Sequence, residues 1–403
     1  MKAEVEKMEK MGVIEESQSD YCSPSVIVRK PDSSHRYCID FRKVNAVSVL
    51  DSEPIPNQEA IIAKLGRCRY FTKIDLSKGF WQIPIAASDR HRTAFATEKG
   101  LKQFVVMPFG LVNASSIFCR MMRKLLDGLD NAESYIDDLV IFTDTWEEHM
   151  VTLRKVLTRL RKHHLTARPT KCFVCFSEID FLGQKVGQGV VKPQEAKIVK
   201  ILDVERPQTK KELRSFIGMI SYQRKYVPSF ADKAKPLTDM LGKGHPTKLK
   251  WTEEAESSFQ LFKTTLSNPP VLHLPDLEKE MILAVDSSGT GIGGALMQEH
   301  EGHLAPLMYI SRKLKPAETR YSAIERECLA LVWAIKTLHS FLYGKEFILM
   351  SDHQPLKYLN SAKMNNSRVM RWALDLQVYR FVVKVIKGSE NYVADYLSRC
   401  GKE

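Results

Sequence analysis

Two adjacent aspartates inside an apolar run, Tyr135-Ile136-Asp137-Asp138-Leu139-Val140-Ile141-Phe142, are the residues best placed to do chemistry in this sequence. β-prone runs on either side make the segment read as a hairpin with both acids at its tip. Neighbouring carboxylates repel unless a positive group, usually a divalent metal, lies between them. A third aspartate has a similar setting, Phe71-Thr72-Lys73-Ile74-Asp75-Leu76. Three carboxylates at strand ends suit two Mg2+ ions roughly 3.5–4 Å apart, the arrangement that drives in-line phosphoryl transfer. An Asp-Asp pair taken alone is more often a solvated turn, so the surroundings must decide.

A second acidic set follows near the C-terminus. Asp286 closes a strand, Glu327 lies in the first turns of a long helix, Asp352 closes another strand, and Asp395 sits in a final helix. Acids at strand ends beside helix starts converge over a sheet edge and hold metals. Each alone would be a cap or a surface charge; the four in this order form the signal. Glu325 competes with Glu327, but the spacing Ser322-x-x-Glu325 assigns Glu325 to a capping box.

The elements that must position these acids are legible in outline. At 403 residues the chain suits two to four domains. A hydrophobic content of 44% with 27% charged residues argues for globular structure over disorder. The net charge of +12 points to a polyanionic partner, nucleic acid ahead of a membrane surface. The first ten residues lack the apolar stretch of a signal peptide. The longest apolar run, 328–335, is too short to cross a bilayer, so a soluble intracellular protein without a membrane partner is expected. The eight cysteines are scattered and read as reduced thiols. Cys172 and Cys175 lack a second ligand pair and, alternating with Phe173, Val174 and Phe176, read as a buried strand in preference to a zinc site.

Strands at 26–28 and 37–39 flank the turn-prone Pro31-Asp32-Ser33-Ser34. A helix is expected over 148–164, with Met150, Leu153, Val156, Leu157 and Leu160 at helical spacing. A glycine-rich hairpin runs from Phe181 to Gly189. Thr209-x-x-Glu212 opens a helix to about Tyr226, with Lys210, Lys211, Arg214, Arg224 and Lys225 interleaved with Phe216, Tyr222 and Tyr226. Such a helix suits a nucleic-acid backbone and equally a solvated face with aromatic anchors. The stretch 242–246 reads as a linker, and 253–266 as a helix. From about Leu272 a compact α/β unit follows, with strands at 281–285, 289–298, 307–311, 347–350 and 380–386. Helices are expected at 325–341 and 391–398.

These residues closely resemble the reverse transcriptase and ribonuclease H region of gypsy-type long-terminal-repeat retrotransposon Pol polyproteins, over nearly the whole chain. The polymerase marks are Arg36-Tyr37-Cys38-Ile39-Asp40-Phe41-Arg42-Lys43-Val44-Asn45, then Phe71-x-x-x-Asp75-Leu76-x-x-Gly79-Phe80-x-Gln82-Ile83. Pro108-Phe109-Gly110-Leu111-x-Asn113-Ala114 and Tyr135-Ile136-Asp137-Asp138 complete them. The ribonuclease marks are Tyr321-Ser322-x-x-Glu325-x-Glu327-Cys328-Leu329-Ala330, Ser351-Asp352-His353-Gln354-Pro355-Leu356 and Val393-Ala394-Asp395-x-Leu397-Ser398-Arg399.

The resemblance implies an α+β multidomain fold, a right-hand polymerase (fingers, palm, thumb) followed by a ribonuclease H-like α/β domain. The expected division is 1–168 fingers and palm, 169–241 primer-grip hairpin and thumb, 242–274 connection, and 275–403 ribonuclease H. It implies RNA-directed and DNA-directed DNA synthesis together with hydrolysis of RNA paired to DNA. Asp75, Asp137 and Asp138 would be the polymerase metal carboxylates, with the Leu76 carbonyl a further ligand. Asp286, Glu327, Asp352 and Asp395 would form the ribonuclease tetrad. Each site would use two Mg2+ (or Mn2+) ions. Phe80 matches the ring under the incoming sugar, where a 2′-hydroxyl would clash. Arg36, assisted by Lys30, matches the contact to the triphosphate, a role suited to a guanidinium fork. Phe181-Leu182-Gly183 falls where the family grips the primer end.

Implied partners are an RNA template, a DNA primer, an RNA–DNA hybrid and dNTPs, with a homodimer compatible. The implied location is cytoplasmic, in virus-like particles, or nuclear. The sequence departs from the family at Ser115, where proline is usual, and in lacking a histidine over 387–394. It starts within the fingers and stops soon after Asp395, which suggests a processed product, a fragment, or a decayed or domesticated copy. The rival reading is a domesticated, catalytically silent nucleic-acid-binding protein. All seven acids argue against it, since binding alone needs no metal carboxylates. A viral RNA-copying polymerase is disfavoured by the ribonuclease unit, for which it has no hybrid to clear.

Overall fold

A computed structural model describes residues 2–29, 35–66, 68–242, 244, 246–351 and 367–385. Lys30, the turn at 31–34, Asp352, Asp395 and the expected helix at 391–398 lie outside the described residues, as does the side chain of Arg36. The chain forms two compact units: Met1–Ile61 with Cys68–Ile179, and Ile62–Arg67 with Asp180–Glu403.

The first unit is built on an antiparallel sheet in the order Ala132–Tyr135, Asp138–Thr143, Tyr70–Asp75, Phe173–Phe176. The Leu-Val-Ile-Phe run of strand Asp138–Thr143 is buried throughout, as expected of a central strand covered on both faces, which shows no polar alternation. Helices Ala114–Leu126 and Trp146–Lys162 pack on it through Phe118, Met122, Leu139, Ile141, Val156 and Leu160. The second of these begins two residues before the expected start, because the Thr145 side chain caps it by accepting from the Glu148 N–H. Met150 and Leu157, expected on its buried face, are exposed. The face is completed by His149 and Thr152 instead.

A smaller core of Val5, Met8, Ile14, Phe41, Phe95 and Phe104 joins helix Lys2–Lys10 to the sheet Ile14–Glu16, Gly100–Phe104, Phe95–Thr97. Beside it lies the hairpin Ser25–Arg29/His35–Ile39.

Phe173–Phe176 is a strand, but the expectation that it is buried is wrong. It lies at the sheet edge, with Phe173, Val174 and Phe176 each about half exposed. Register slips between Phe71 and Lys73, and Cys175 takes φ +59. That bulge disrupts the ladder and turns the side chains away from the core.

In the second unit, helices Glu195–Leu202, Lys210–Tyr222, Phe230–Asp239 and Glu253–Ser267 enclose Phe216, Ile220, Leu237, Phe259 and Phe262. The Thr209 capping box forms in both directions. Its helix ends at Tyr222, short of the expected Tyr226, and a 3-10 turn Arg224–Tyr226 follows.

The α/β part is a five-stranded sheet in the order His303–Lys313, Gly291–His300, Met281–Ser287, Glu346–Ser351, Arg380–Val385. The first three strands are antiparallel and the last two join in parallel. A parallel neighbour needs a crossover, which helix Ala323–Thr337 supplies. Its Ala330, Leu331, Ala334 and Ile335 pack with Leu283, Val285 and Leu349. The Ser322–Glu325 capping box is formed, which leaves Glu327 to the sheet side.

Candidate active site

Asp75 ends its strand directly opposite Asp138, the first residue of the neighbouring strand. Tyr135 pairs with Asp138 on the other side, so the two-residue loop is Ile136-Asp137, one position earlier than expected. Only Asp137 stands at the tip; Asp138 belongs to the sheet. Ile136 takes φ +55, a conformation that costs a β-branched residue energy. Its side chain packs on the helix-covered core, which holds the turn in place.

Two lysines attend the acids: Lys73 Nζ is 3.1 Å from Asp138 Oδ1 and Lys171 Nζ is 3.5 Å from Asp75 Oδ2. Partial loss of solvent pushes the Asp137 carboxyl above its ordinary value, and the charges of Asp138 and Asp75 push it further. The Leu76 N–H donates to the Asp137 carbonyl at 3.4 Å. Asp75, Asp137, Asp138 and the Leu76 carbonyl are hard oxygen donors of the kind that Mg2+ and Mn2+ take, so the donor set fits a divalent ion. Among the described residues, however, no three His, Cys, Asp or Glu side chains are gathered closely enough to hold an ion. The acids share neighbouring backbone positions while lysines hold two of them.

Beside the tip runs the turn Gly79–Gln82. A Cβ on Gly79 would lie 3.0 Å from the Phe118 ring and 3.4 Å from Asp137 Cβ, so glycine permits this approach. Phe80 packs between Phe109 and Phe118, at 5.2 and 5.5 Å between ring centroids. Phe109 is exposed. With Tyr37, Ile39, Trp81 and Phe104 it lines a cavity of 460 Å³. Gln82 ties its turn to residues on both sides: Nε2 donates to the carbonyls of Ser77 and Thr166, and Oε1 accepts from the Thr166 N–H. Arg36 lies on the strand His35–Ile39 opposite Val28.

In the second unit, Asp286 lies near the end of Met281–Ser287, opposite Gly293. The next residue, Ser287, donates from Oγ to Glu327 Oε1 at 2.7 Å. The structure thus brings Glu327 to the end of the Asp286 strand; the other two expected acids lie outside the described residues. Glu325 is engaged with Ser322 and Arg368, as its capping role requires.

The turn after Phe181 is also built by specific contacts. Leu182 and Gly183 have φ +46 and +74, and the Tyr222 hydroxyl donates to the Leu182 carbonyl at 2.7 Å. Lys197 Nζ sits 3.9 Å over the Tyr222 ring. Sequence reasoning missed Lys73 and Lys171, and it named Phe109 and Tyr222 only within a motif and a basic helix, without these contacts. Lys73 had a signal, since residues two apart on a strand share a face.

A polymerase-type sheet bearing paired acids, followed in the chain by a ribonuclease H-like sheet, is the domain order of the reverse transcriptase fold. Comparison with known proteins agrees. Residues 28–186 match the family described as reverse transcriptase (RNA-dependent DNA polymerase), and residues 276–379 match the RNase H-like domain found in reverse transcriptase. The retrovirus-related Pol polyprotein from transposon 297 of Drosophila melanogaster is 41% identical over 403 residues, 98% of this chain and 38% of that protein. The corresponding polyprotein from transposon gypsy of the same organism is 35% identical, over 98% of this chain and 40% of that protein. A foamy viral protease-reverse transcriptase in complex with double-stranded DNA superposes with a TM-score of 0.85 at 25% identity, covering 95% of this chain and 68% of that one. A foamy viral protease-reverse transcriptase in complex with an RNA/DNA hybrid gives 0.84 at 25% identity, over 95% and 52%. Residues 28–186 and 276–379 belong to those two domain families, and the chain as a whole is similar to the reverse transcriptase–ribonuclease H region of gypsy-type retrotransposon Pol polyproteins, spanning about two fifths of the length of the relatives it matches.

Proposed function

We propose that the chain is an RNA-directed DNA polymerase that also cleaves the RNA of RNA–DNA hybrids. The observation that carries the reading is the cross-strand pairing of Asp75 with Asp138, with Asp137 at the adjoining tip and the Phe80–Phe109 rings beside it. Asp75, Asp137, Asp138 and the Leu76 carbonyl would hold divalent ions, two in number as for in-line phosphoryl transfer. When bound, such ions supply Lewis acidity and charge neutralisation for joining a primer 3′-hydroxyl to the α-phosphate of a dNTP.

The chain's own residues do the remaining work. Phe80 walls the sugar and excludes a 2′-hydroxyl, while Arg36 and Lys30 bind the triphosphate as anion partners. Gln82 fixes the turn that carries Phe80 through the two carbonyls it binds. Asp286 and Glu327, with Asp352 and Asp395, form the hydrolytic site. The working division is fingers and palm over 1–168, primer grip and thumb over 169–241, connection over 242–274 and ribonuclease H over 275–403. The foamy viral structures with DNA and with hybrid support nucleic acid as the partner, as does the net charge of +12.

The test is extension of a DNA primer on an RNA template with dNTPs and Mg2+, with the template followed on the same gel. Extension with template shortening is expected. Salt-sensitive binding without either product, in Mn2+ as well, would sink the proposal and leave a binding protein.

A further inference from the structure

Asp232 lies on helix Phe230–Asp239, upstream of the ribonuclease H-like match at 276–379. Its carboxylate nevertheless reaches the turn that follows Asp286. Thr290 Oγ1 donates to Asp232 Oδ1 at 2.6 Å, and Ser288 Oγ lies 3.0 Å from Oδ2. Ser288 Oγ in turn accepts from the N–H groups of Thr290 and Gly291, at 3.1 and 2.8 Å. The turn is therefore organised round one hydroxyl that Asp232 orients. The fit is close: a Cβ on Gly291 would come within 2.7 Å of Asp232 Oδ1.

A second tie runs beside the first. The Ala231 N–H donates to Ser311 Oγ at 2.7 Å, Ser311 pairs with Gly293, and Gly293 pairs with Asp286. Asp232, Asp286, Ser288, Gly291, Gly293 and Ser311 line one small cavity. An acid in the first turn of a helix has a simpler use, favouring the helix dipole. That use needs no partners outside the helix, whereas Asp232 takes two hydroxyls from another element.

We propose that Asp232 is a positioning residue for hybrid cleavage: it holds the turn 288–291, and through it the end of the strand that bears Asp286. Charge-assisted bonds to a carboxylate are stronger than neutral ones, and a reacting group displaced by a fraction of an ångström loses rate without losing substrate affinity. The inference rests on the ribonuclease reading above for its catalytic consequence, but the hold itself is measurable without activity.

The experiment uses the full chain, unaltered and as Asp232→Ala, Asp232→Asn and the double variant Ser288→Ala/Thr290→Val. Hydrogen exchange is followed across 286–292, and kcat and KM for hybrid cleavage are measured beside primer extension. Asp232→Ala and the double variant should each speed exchange in that segment by about tenfold, the opening expected when a charge-assisted bond is lost. Cleavage kcat should fall by a similar factor, with KM and primer extension unchanged. Asn, which keeps one acceptor, should fall between.

Unchanged exchange at 286–292 in Asp232→Ala would overturn the proposal. So would a loss of cleavage matched by equal loss of extension and by exchange throughout helix Phe230–Asp239, since that is general damage to the fold. Should the unaltered chain cleave no hybrid, the ribonuclease reading falls with the catalytic consequence, while exchange still decides whether Asp232 holds the turn.

Discussion

Lys73 Nζ stands 3.1 Å from Asp138 Oδ1, on the strand that ends two residues later at Asp75. The ammonium offsets the charge of Asp138, and both side chains are largely shielded from water. Removing one partner of such a pair leaves the other charge uncompensated. Lys73→Met should therefore lower the melting temperature of the metal-free chain, by an amount on the order of 1–2 kcal/mol in stability. Millimolar Mg2+ should restore more stability to the variant than to the unaltered chain, because the ion no longer competes with the lysine. Equal Mg2+-induced shifts in the two proteins, read by calorimetry, would show that Lys73 does not occupy the ion's electrostatic place.

The two acidic sites lie in separate units of the chain, so their losses should separate. Asp137→Asn should abolish primer extension and spare hybrid cleavage, and Asp286→Asn should do the reverse. Loss of both activities in either variant would count against two independent sites. Asp137→Asn carries a further signature. Its carboxyl is raised by loss of solvent and by Asp138 and Asp75, so the ionised form is disfavoured in the folded chain. The metal-free variant should melt at or above the unaltered chain despite being inactive.

Tyr222 pins the turn after Phe181 through the Leu182 carbonyl. Tyr222→Phe removes that donor and keeps the ring under Lys197. The expected cost is ~1 kcal/mol, confined to a turn with two successive left-handed residues. If the turn grips the primer end, products should shorten when extension is challenged with a heparin trap, while hybrid cleavage stays intact. Gly183→Ala should be harsher. Its φ of +74 disfavours a side chain by about 1–2 kcal/mol, and a Cβ there meets Lys197 and Tyr222. Product lengths identical to the unaltered chain in both variants would remove the turn from primer handling.

Much of this was legible in the sequence because it rests on local rules. The Thr209 and Ser322 capping boxes appear where the spacing placed them, and Glu327 was separated from Glu325 by the same logic. The hairpin at Asp137 was found but misregistered by one residue, because no turn rule places isoleucine at positive φ; tertiary packing of Ile136 overrides it. Phe173, Val174 and Phe176 were misread as core because composition does not reveal a bulge. Lys171 and Asp232 left no mark at all, and Tyr222 was read only as an aromatic of the basic helix. Each reaches its partner across 40 or more residues, a relation that periodicity does not carry.

His149 offers a pH-dependent test of the first unit's core. Its ring is fully buried, with Nε2 2.7 Å from Thr72 Oγ1 and Nδ1 3.0 Å from Thr143 Oγ1. Thr143 Oγ1 also donates to the Thr145 carbonyl, and Thr72 Oγ1 accepts from the Cys175 N–H. These partners suit a neutral ring protonated on Nδ1: Thr143 accepts from Nδ1, and Thr72 donates its hydrogen to Nε2. A second ring proton would meet the Thr72 hydrogen and bury a charge. Burial accordingly lowers the His149 pKa below 6.5. With the folded pKa lowered, the unfolded chain binds more protons below 6.5, so stability is complete above that pH and falls as pH drops beneath it. His149→Gln should flatten the decline in urea midpoint between about pH 7.5 and 5.5, the range in which an ordinary histidine charges. His273 and His300, also lowered by burial, remain in both proteins, so the difference isolates His149. An equally steep decline in the variant would show that this ring does not set the acid limit of the fold.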